Sequence, residues 1–305
     1  MMQTILGSNG QIGHELAEEL YQNYTKNLRL VSRNPKKIHD TDEIKPANLL
    51  NYDETLQAIS GSEIVYFTVG LPMNSDMWES QFSTIIDNVI RACEVSDSKL
   101  VFFDNTYMYA KNSDLQVESS PFVPTGRKST VRAKVATKVL NAMERGELEA
   151  VICRAPEFYG PDNTQSITNT MIFNRIKNGK TPFVPISAKA LRTLIWTPDA
   201  SRAMALIGNT KSAYSRTWHL PSESITYQNL IRLCEDVLGR KIRYKVVKMV
   251  VFKIGSLFSQ KSKELLELLP RYRDDNNFSS DKFKQQFPEF KVTSFEEGVR
   301  KIFNR

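Results

Sequence analysis

Through the first part of the chain, mostly apolar runs at 4–6, 28–31, 64–69, 100–103, 150–153 and 218–220 alternate with stretches carrying apolar residues every three or four positions, at 12–24, 78–95, 129–145 and 198–206. Continuous apolar runs fit strands buried on both faces, and the intervening periodicity fits amphipathic helices. The order predicts an α/β fold, a doubly wound parallel sheet with helices on both sides. After residue 160 the alternation loosens, and from 222 onward short helices dominate at 227–238, 262–268 and 294–303. A smaller mixed C-terminal lobe is expected there, built from about 161–192 plus 222–305, with 1–160 plus about 193–221 forming the larger domain.

At 305 residues and 41% hydrophobic content, the chain is long enough for one large or two modest cores. Its three cysteines, Cys93, Cys153 and Cys234, are far apart and lack the spacing of a disulfide framework or a metal site. No cluster is formed by His14, His39 and His219 either, so no metal is expected. A reducing, cytoplasmic setting is expected, without a leader or membrane-spanning segment. The net charge of +7 is concentrated between Arg240 and Arg273, where ten basic residues face two acids. Because apolar residues interleave there at helical spacing, this stretch reads as a solvated helical face rather than a nucleic-acid or membrane surface. An anionic small-molecule substrate would also gain from it.

The chemistry begins at Gly7-Ser8-Asn9-Gly10-Gln11-Ile12-Gly13, directly after the first strand and at the start of an amphipathic helix. Gly7 permits the tight turn, Gly10 lets backbone amides approach a pyrophosphate, and Gly13 allows the helix to pack on the sheet. This strand–loop–helix context marks a Rossmann dinucleotide site. At the end of the second strand, where an acid would hold the ribose hydroxyls of NAD, the chain has Ser32-Arg33-Asn34-Pro35-Lys36-Lys37. The planar fork of Arg33 and the hydroxyl of Ser32 suit a 2′-phosphate, so NADP(H) is preferred, with NAD(H) as the alternative.

These residues resemble the short-chain dehydrogenase/reductase superfamily, in its extended branch of epimerases, dehydratases and reductases. The resemblance covers nearly the whole chain. Beyond the glycine loop it rests on Asn48-Leu49, similar to the adenine-contacting segment, on Asn88, and on Arg154-Ala155-Pro156-Glu157-Phe158-Tyr159-Gly160-Pro161, similar to an RxxxxYGP turn. The stretch Leu191-Arg192-Thr193-Leu194-Ile195-Trp196-Thr197-Pro198-Asp199 resembles R-D-F-I-H-V-x-D. The resemblance implies cofactor contacts from Val69, Gly70, Asn88, Pro156 and Phe158 as well as the loop. It also implies substrate contacts from Tyr159 and Arg192, with Arg192 on a substrate diphosphate. A homodimer through the helices at 78–95 and 129–145 is implied in the same way.

The family's catalysis, as the resemblance implies, joins a serine or threonine, a tyrosine and a lysine. Here Asp104-Asn105-Thr106-Tyr107-Met108-Tyr109-Ala110 replaces Ser-Ser-x-x-Val-Tyr-Gly, so Asn105 stands for the hydroxyl. Thr130 stands for the tyrosine, four residues before Lys134, the one match. An aliphatic hydroxyl is too weak an acid and too short to replace a phenol. Asn105 can still donate to a substrate carbonyl, and Lys134 is expected to hold the ribose. Tyr107 is the candidate replacement acid–base, with Asp104 and Tyr159 behind it, while Tyr109 reads as a packing residue. Two readings remain open: an NADP(H)-dependent oxidoreductase or epimerase/dehydratase-like enzyme acting on a carbonyl, hydroxyl or nucleotide-sugar substrate, and a non-catalytic NADP(H)-binding redox sensor.

Overall fold

In the computed structural model, which describes residues 1–161 and 164–304, the apolar runs become the central strands of a parallel sheet. These are β1 (Gln3–Leu6), β2 (Leu28–Ser32), β3 (Glu43–Pro46), β4 (Ile64–Phe67), β5 (Lys99–Asp104), β6 (Ala150–Arg154) and, after an excursion into the smaller lobe, β10 (Arg216–His219). All seven are parallel, in the order β10-β6-β5-β4-β1-β2-β3. The order reverses between β1 and β4, which opens a crevice at their carboxyl ends.

Each face of the sheet has its own core. On one side α2 (Tyr52–Ile59), α3 (Ser75–Val95) and α4 (Arg127–Glu144) bury Ile86, Val89, Val135 and Val139 against Phe67 and Phe102. On the other, α1 (Gln11–Asn23) and α6 (Thr197–Gly208) bury Leu16, Leu20, Ala203 and Ile207 against Ile5, Tyr66 and Val151. Helix starts follow local chemistry: Asn51 accepts from the amides of Asp53 and Glu54 at the head of α2, and Asn74 accepts from Met77 at the head of α3.

The smaller lobe carries a three-stranded sheet in which β9 (Leu191–Trp196) runs parallel to β7 (Glu157–Tyr159) and antiparallel to β11 (Glu223–Thr226). A second pair joins β8 (Phe183–Pro185) to β12 (Lys245–Val247). With α5 (Asn174–Lys177), α7 (Tyr227–Leu238), α8 (Met249–Ser256), α9 (Gln260–Leu266) and α11 (Phe295–Phe303), these strands enclose a third core around Tyr159, Trp196, Tyr227 and Leu269.

Two features cut across the expected boundaries. Residues 193–196 lie in the small sheet with β9, although α6, which leaves that strand, packs on α1. Helix α10 (Asp281–Gln286) returns from the small lobe to the large one, where Phe283, Phe287 and Phe290 pack in the core that holds Trp218. Strand β3 has no sequence signature, because Glu43-Ile-Lys-Pro46 is an edge strand whose residues are exposed or half-buried.

Candidate active site at the carboxyl ends of the strands

The glycine loop is held by short backbone bonds. The amide of Gly7 donates to Val31 O at 2.8 Å, and that of Gly10 to Gly7 O at 2.9 Å. Gly7 sits at φ +90°, where an added Cβ would lie 3.0 Å from the backbone of Val69. A Cβ on Gly13 would come within 2.7 Å of Gly7 O and 2.9 Å of Thr68 Oγ1, so α1 and the end of β4 approach as closely as the motif requires. Gly10 opens α1 with no side-chain cap and no acid in the first turn. Among the described residues the amides of Gln11 and Ile12 have no partner in the chain. This is a positive helix end prepared for an anion.

The neighbouring loop is tied to the first. Asn9 donates its side-chain amide to Asn34 O at 2.7 Å and accepts from the amide of Lys36 at 3.2 Å, clipping the glycine loop to the turn after β2. On that turn Ser32 Oγ is buried without a partner, and Arg33 is exposed with no ion pair among the described residues. No acid follows until Asp40. An orphaned hydroxyl, a free guanidinium and a cradle that a Cβ would fill are what an adenosine phosphate at this position would use. Further along the crevice Asn88 donates to Leu49 O at 2.9 Å, and Asn48 is pinned by Glu54, which accepts from its amide at 2.7 Å. Val69 is half-buried and Gly70 is exposed at the end of β4, while Pro156 is buried and Phe158 stacks on Phe103 at 5.9 Å.

At the end of β5, Asn105 Oδ1 accepts from the amide of Tyr107 at 3.0 Å, which leaves its NH2 free to donate. The Tyr107 ring lies 6.2 Å from Trp78, nearly parallel to it, with the Arg271 guanidinium 5.3 Å above. Arg271 also donates to Thr106 Oγ1 at 2.9 Å and keeps one buried nitrogen, Nε, unpartnered. Burial raises the Tyr107 phenol above its ordinary range, with Arg271 opposing the shift. Arg271 was not among the residues singled out in the sequence. Its only signal there was membership in the basic stretch.

Below this surface lies a closed polar network. Asp104 accepts from Arg132 and, at 3.0 Å, from Arg154 Nε. Arg154 donates to the Tyr109 hydroxyl at 2.6 Å, and that hydroxyl pairs with His219 Nε2 at 2.7 Å. Burial, and then Arg154, push His219 down to about 3, so it is neutral. Tyr109 and His219 thus serve the interior, and Asp104 is buried with its two oxygens turned to Arg132 and Arg154 rather than to the crevice.

The structure does not bring Thr130 and Lys134 to Asn105 and Tyr107. Lys134 is exposed and lines an open groove with Thr130, Phe122 and Pro124, while the Thr130 hydroxyl donates to Gly126 O at 2.8 Å. With 3.6 residues per turn, positions two apart fall on opposite sides of a helix. The inward pair of α4 is Lys128 and Arg132. Lys128 is ion-paired with Glu264 and lies 3.8 Å from Glu267 Oε2, and Glu267 in turn accepts from the amides of Lys128 and Ser129.

Arg192 and Tyr159 are likewise placed away from open space. Arg192 is fully buried, donating to Arg271 O at 2.6 Å and to Glu157 Oε2 at 3.3 Å, with Tyr272 stacked at 4.4 Å. Its charge is met inside the chain by Glu157. Tyr159 is buried among Trp196, Phe295 and Phe173 and fills the small-lobe core.

A sheet with its switch point at an uncapped, glycine-lined helix end defines a dinucleotide-binding α/β protein. The profile of the NAD dependent epimerase/dehydratase family matches residues 4–218, and the chain belongs to that family. Among solved structures it resembles UDP-glucuronic acid 4-epimerase from Bacillus cereus in complex with UDP-glucuronic acid and NAD, at 14% identity and a TM-score of 0.82 over 100% of this chain and 98% of that one. UDP-glucose 4-epimerase from Thermus thermophilus in complex with NAD matches at 15% identity and a TM-score of 0.77, covering 100% and 98%. dTDP-glucose 4,6-dehydratase from Streptomyces venezuelae with NAD bound matches at 14% and 0.74, over the same shares. A search of the curated proteins gives no match.

Proposed function

We propose that this chain binds NADP(H) in the crevice between β1 and β4 and acts as an oxidoreductase or epimerase/dehydratase-like enzyme on an anionic carbonyl or hydroxyl compound of the nucleotide-sugar class. The observation that carries the cofactor assignment is the pairing of unpartnered α1 amides with an acid-free turn bearing Arg33. Gly7, Gly10, Gln11, Ile12 and Gly13 would hold the pyrophosphate, Ser32 and Arg33 the 2′-phosphate, Asn48 and Leu49 the adenine side. A bound nicotinamide would supply hydride exchange with a carbinol or carbonyl carbon. Asn105 would orient that oxygen with its free amide, Tyr107 would serve as the proton donor, and Arg271 would meet the substrate's negative charge in place of Arg192. The solved neighbours named above act on UDP- and dTDP-sugars, which supports the substrate class. Their NAD makes NAD(H) the alternative cofactor. The buried free cysteines suit a cytoplasmic setting, and no helix among the described residues is long and apolar enough to cross a membrane.

The second reading, a non-catalytic NADP(H) sensor, is favoured by one observation: the cations that bear on the Tyr107 phenol are the guanidiniums of Arg271 and Arg132, while Lys134 is exposed on an open groove. Calorimetric titration with NADPH, NADP, NADH and NAD separates the cofactor claims. Arg33→Ala should weaken NADPH by about tenfold, the value of one charge-assisted hydrogen bond, and leave NADH nearly unchanged. Equal loss for both would sink the NADP assignment. Turnover of UDP- or dTDP-sugars that falls in Tyr107→Phe at unchanged dinucleotide affinity supports the enzyme. Tight binding with no turnover across that panel supports the sensor.

A further inference from the structure

Helix α8 and the turn after it present an apolar surface that nothing in the chain covers. Met249 and Phe252 pack inward on the small-lobe core. On the outer side Val250, Val251, Ile254, Leu257 and Phe258 are 56%, 54%, 55%, 78% and 86% exposed. Their spacing of three and four residues makes one stripe. Isolated surface apolar residues are ordinary, but a contiguous stripe of five large ones marks a contact surface.

The surrounding charge identifies the occupant. From Val237 to Lys263 the sequence has eight basic residues and no acid. Lys245, Lys248, Lys253 and Lys263 are exposed and carry no ion pair among the described residues, and the side chain of Lys261 lies outside them. The next acids, Glu264 and Glu267, are turned inward onto Lys128, Ser75 and the amides of α4, so they neutralise nothing outside. Those same bonds fix α9 to α4, which holds the α8–α9 hairpin on the surface.

We infer that this hairpin docks the protein on an anionic lipid bilayer, with Val250, Ile254, Leu257 and Phe258 entering the headgroup–acyl boundary and the flanking lysines facing the lipid phosphates. A short helix with an apolar outer face ringed by lysines is the chemistry of an interfacial anchor. A second copy is a poorer occupant, because a two-fold contact would set these cations against their own images. This departs from the expectation of a merely solvated helical face, which rested on spacing and could not show that the apolar stripe points outward.

The test is cosedimentation of the full chain with phosphatidylcholine vesicles, with and without added phosphatidylserine. Binding should be at least about tenfold stronger with phosphatidylserine and should fall as salt rises. The double variant Leu257→Glu, Phe258→Glu should lower it by at least about tenfold while melting temperature and dinucleotide affinity stay unchanged, since neither residue is buried. Indifference to phosphatidylserine, or vesicle binding untouched by the double variant, would overturn the inference. So would a dimer in sedimentation velocity that the double variant dissociates without any vesicle binding. Binding of a polyglutamate peptide in place of vesicles would reassign the surface to an acidic protein partner.

Discussion

Glu15, one turn into α1, faces Asp199 and Ser201 of α6. Its Oε1 accepts from Gln11 at 3.0 Å and from Thr197 at 3.1 Å, while Oε2 is buried without a partner. Burial outweighs those bonds, and with Asp199 nearby it raises the carboxyl to about 7. A carboxyl whose folded value lies above its unfolded one stabilises the fold fully below the unfolded value, near 4.5, and loses that contribution as pH rises through 7. The loss is on the order of 1 to 3 kcal/mol, allowing for partial exposure. Glu15→Gln should therefore raise the melting temperature at pH 8 and leave it nearly unchanged at pH 5. Parallel pH profiles for the two proteins would refute the assignment. Asp104 carries a different prediction, since this buried carboxylate accepts from two guanidiniums, Arg132 and Arg154. Asp104→Ala strands Arg132 and Arg154 and should cost about 3 to 5 kcal/mol in urea unfolding; a cost below about 1 kcal/mol would mean that water reaches the network.

The question at the level of elements is which face of α4 looks inward. Val131, Val135 and Val139 are buried, and Lys128 and Arg132 share their side of the helix. Replacing Lys128 with methionine leaves Glu264 facing no cation and should cost about 3 to 5 kcal/mol. Lys134→Ala should change stability by less than about 0.5 kcal/mol and leave dinucleotide affinity alone. A fall in that affinity would return Lys134 to the ribose. Here the limits of the sequence are physical. The central strands were legible because parallel strands buried on both faces must be apolar, and the glycine loop because only glycine tolerates its close contacts. The spacing of Thr130 and Lys134 was misleading, since four-residue spacing fixes that two residues share a face but not which face; the valines carried that information. Arg192 matched a substrate-binding pattern, yet Glu157, 35 positions earlier, had already claimed its charge. A partner brought in by the fold leaves no local trace.

Across the whole molecule the two lobes are interlaced by the C-terminal segment. After lining the site with Arg271, the chain passes His219, whose Nδ1 meets Ser279 O at 2.8 Å, and then lays α10 along β10. Phe283 is fully buried there, Phe287 lies 5.7 Å from Trp218, and Lys282 sits over the same indole at 4.6 Å. The edge strand of the large sheet is thus closed by residues that the sequence pattern assigns to the small lobe. Thr293 adds a second clasp, donating its amide and hydroxyl to Asp199 at 2.7 and 3.0 Å. If these contacts couple the lobes, Phe283→Ala, which leaves a cavity beside Phe287 and Phe290, should cost about 3 to 5 kcal/mol, a large part of the roughly 5 to 15 kcal/mol that holds a typical protein folded. It should lower one shared thermal transition rather than a separate one, and dinucleotide binding should be lost at the same temperature as near-ultraviolet dichroism. Two transitions, of which only the one without dinucleotide binding shifts, would show instead that the tail stabilises the small lobe alone and that the large sheet stands without it.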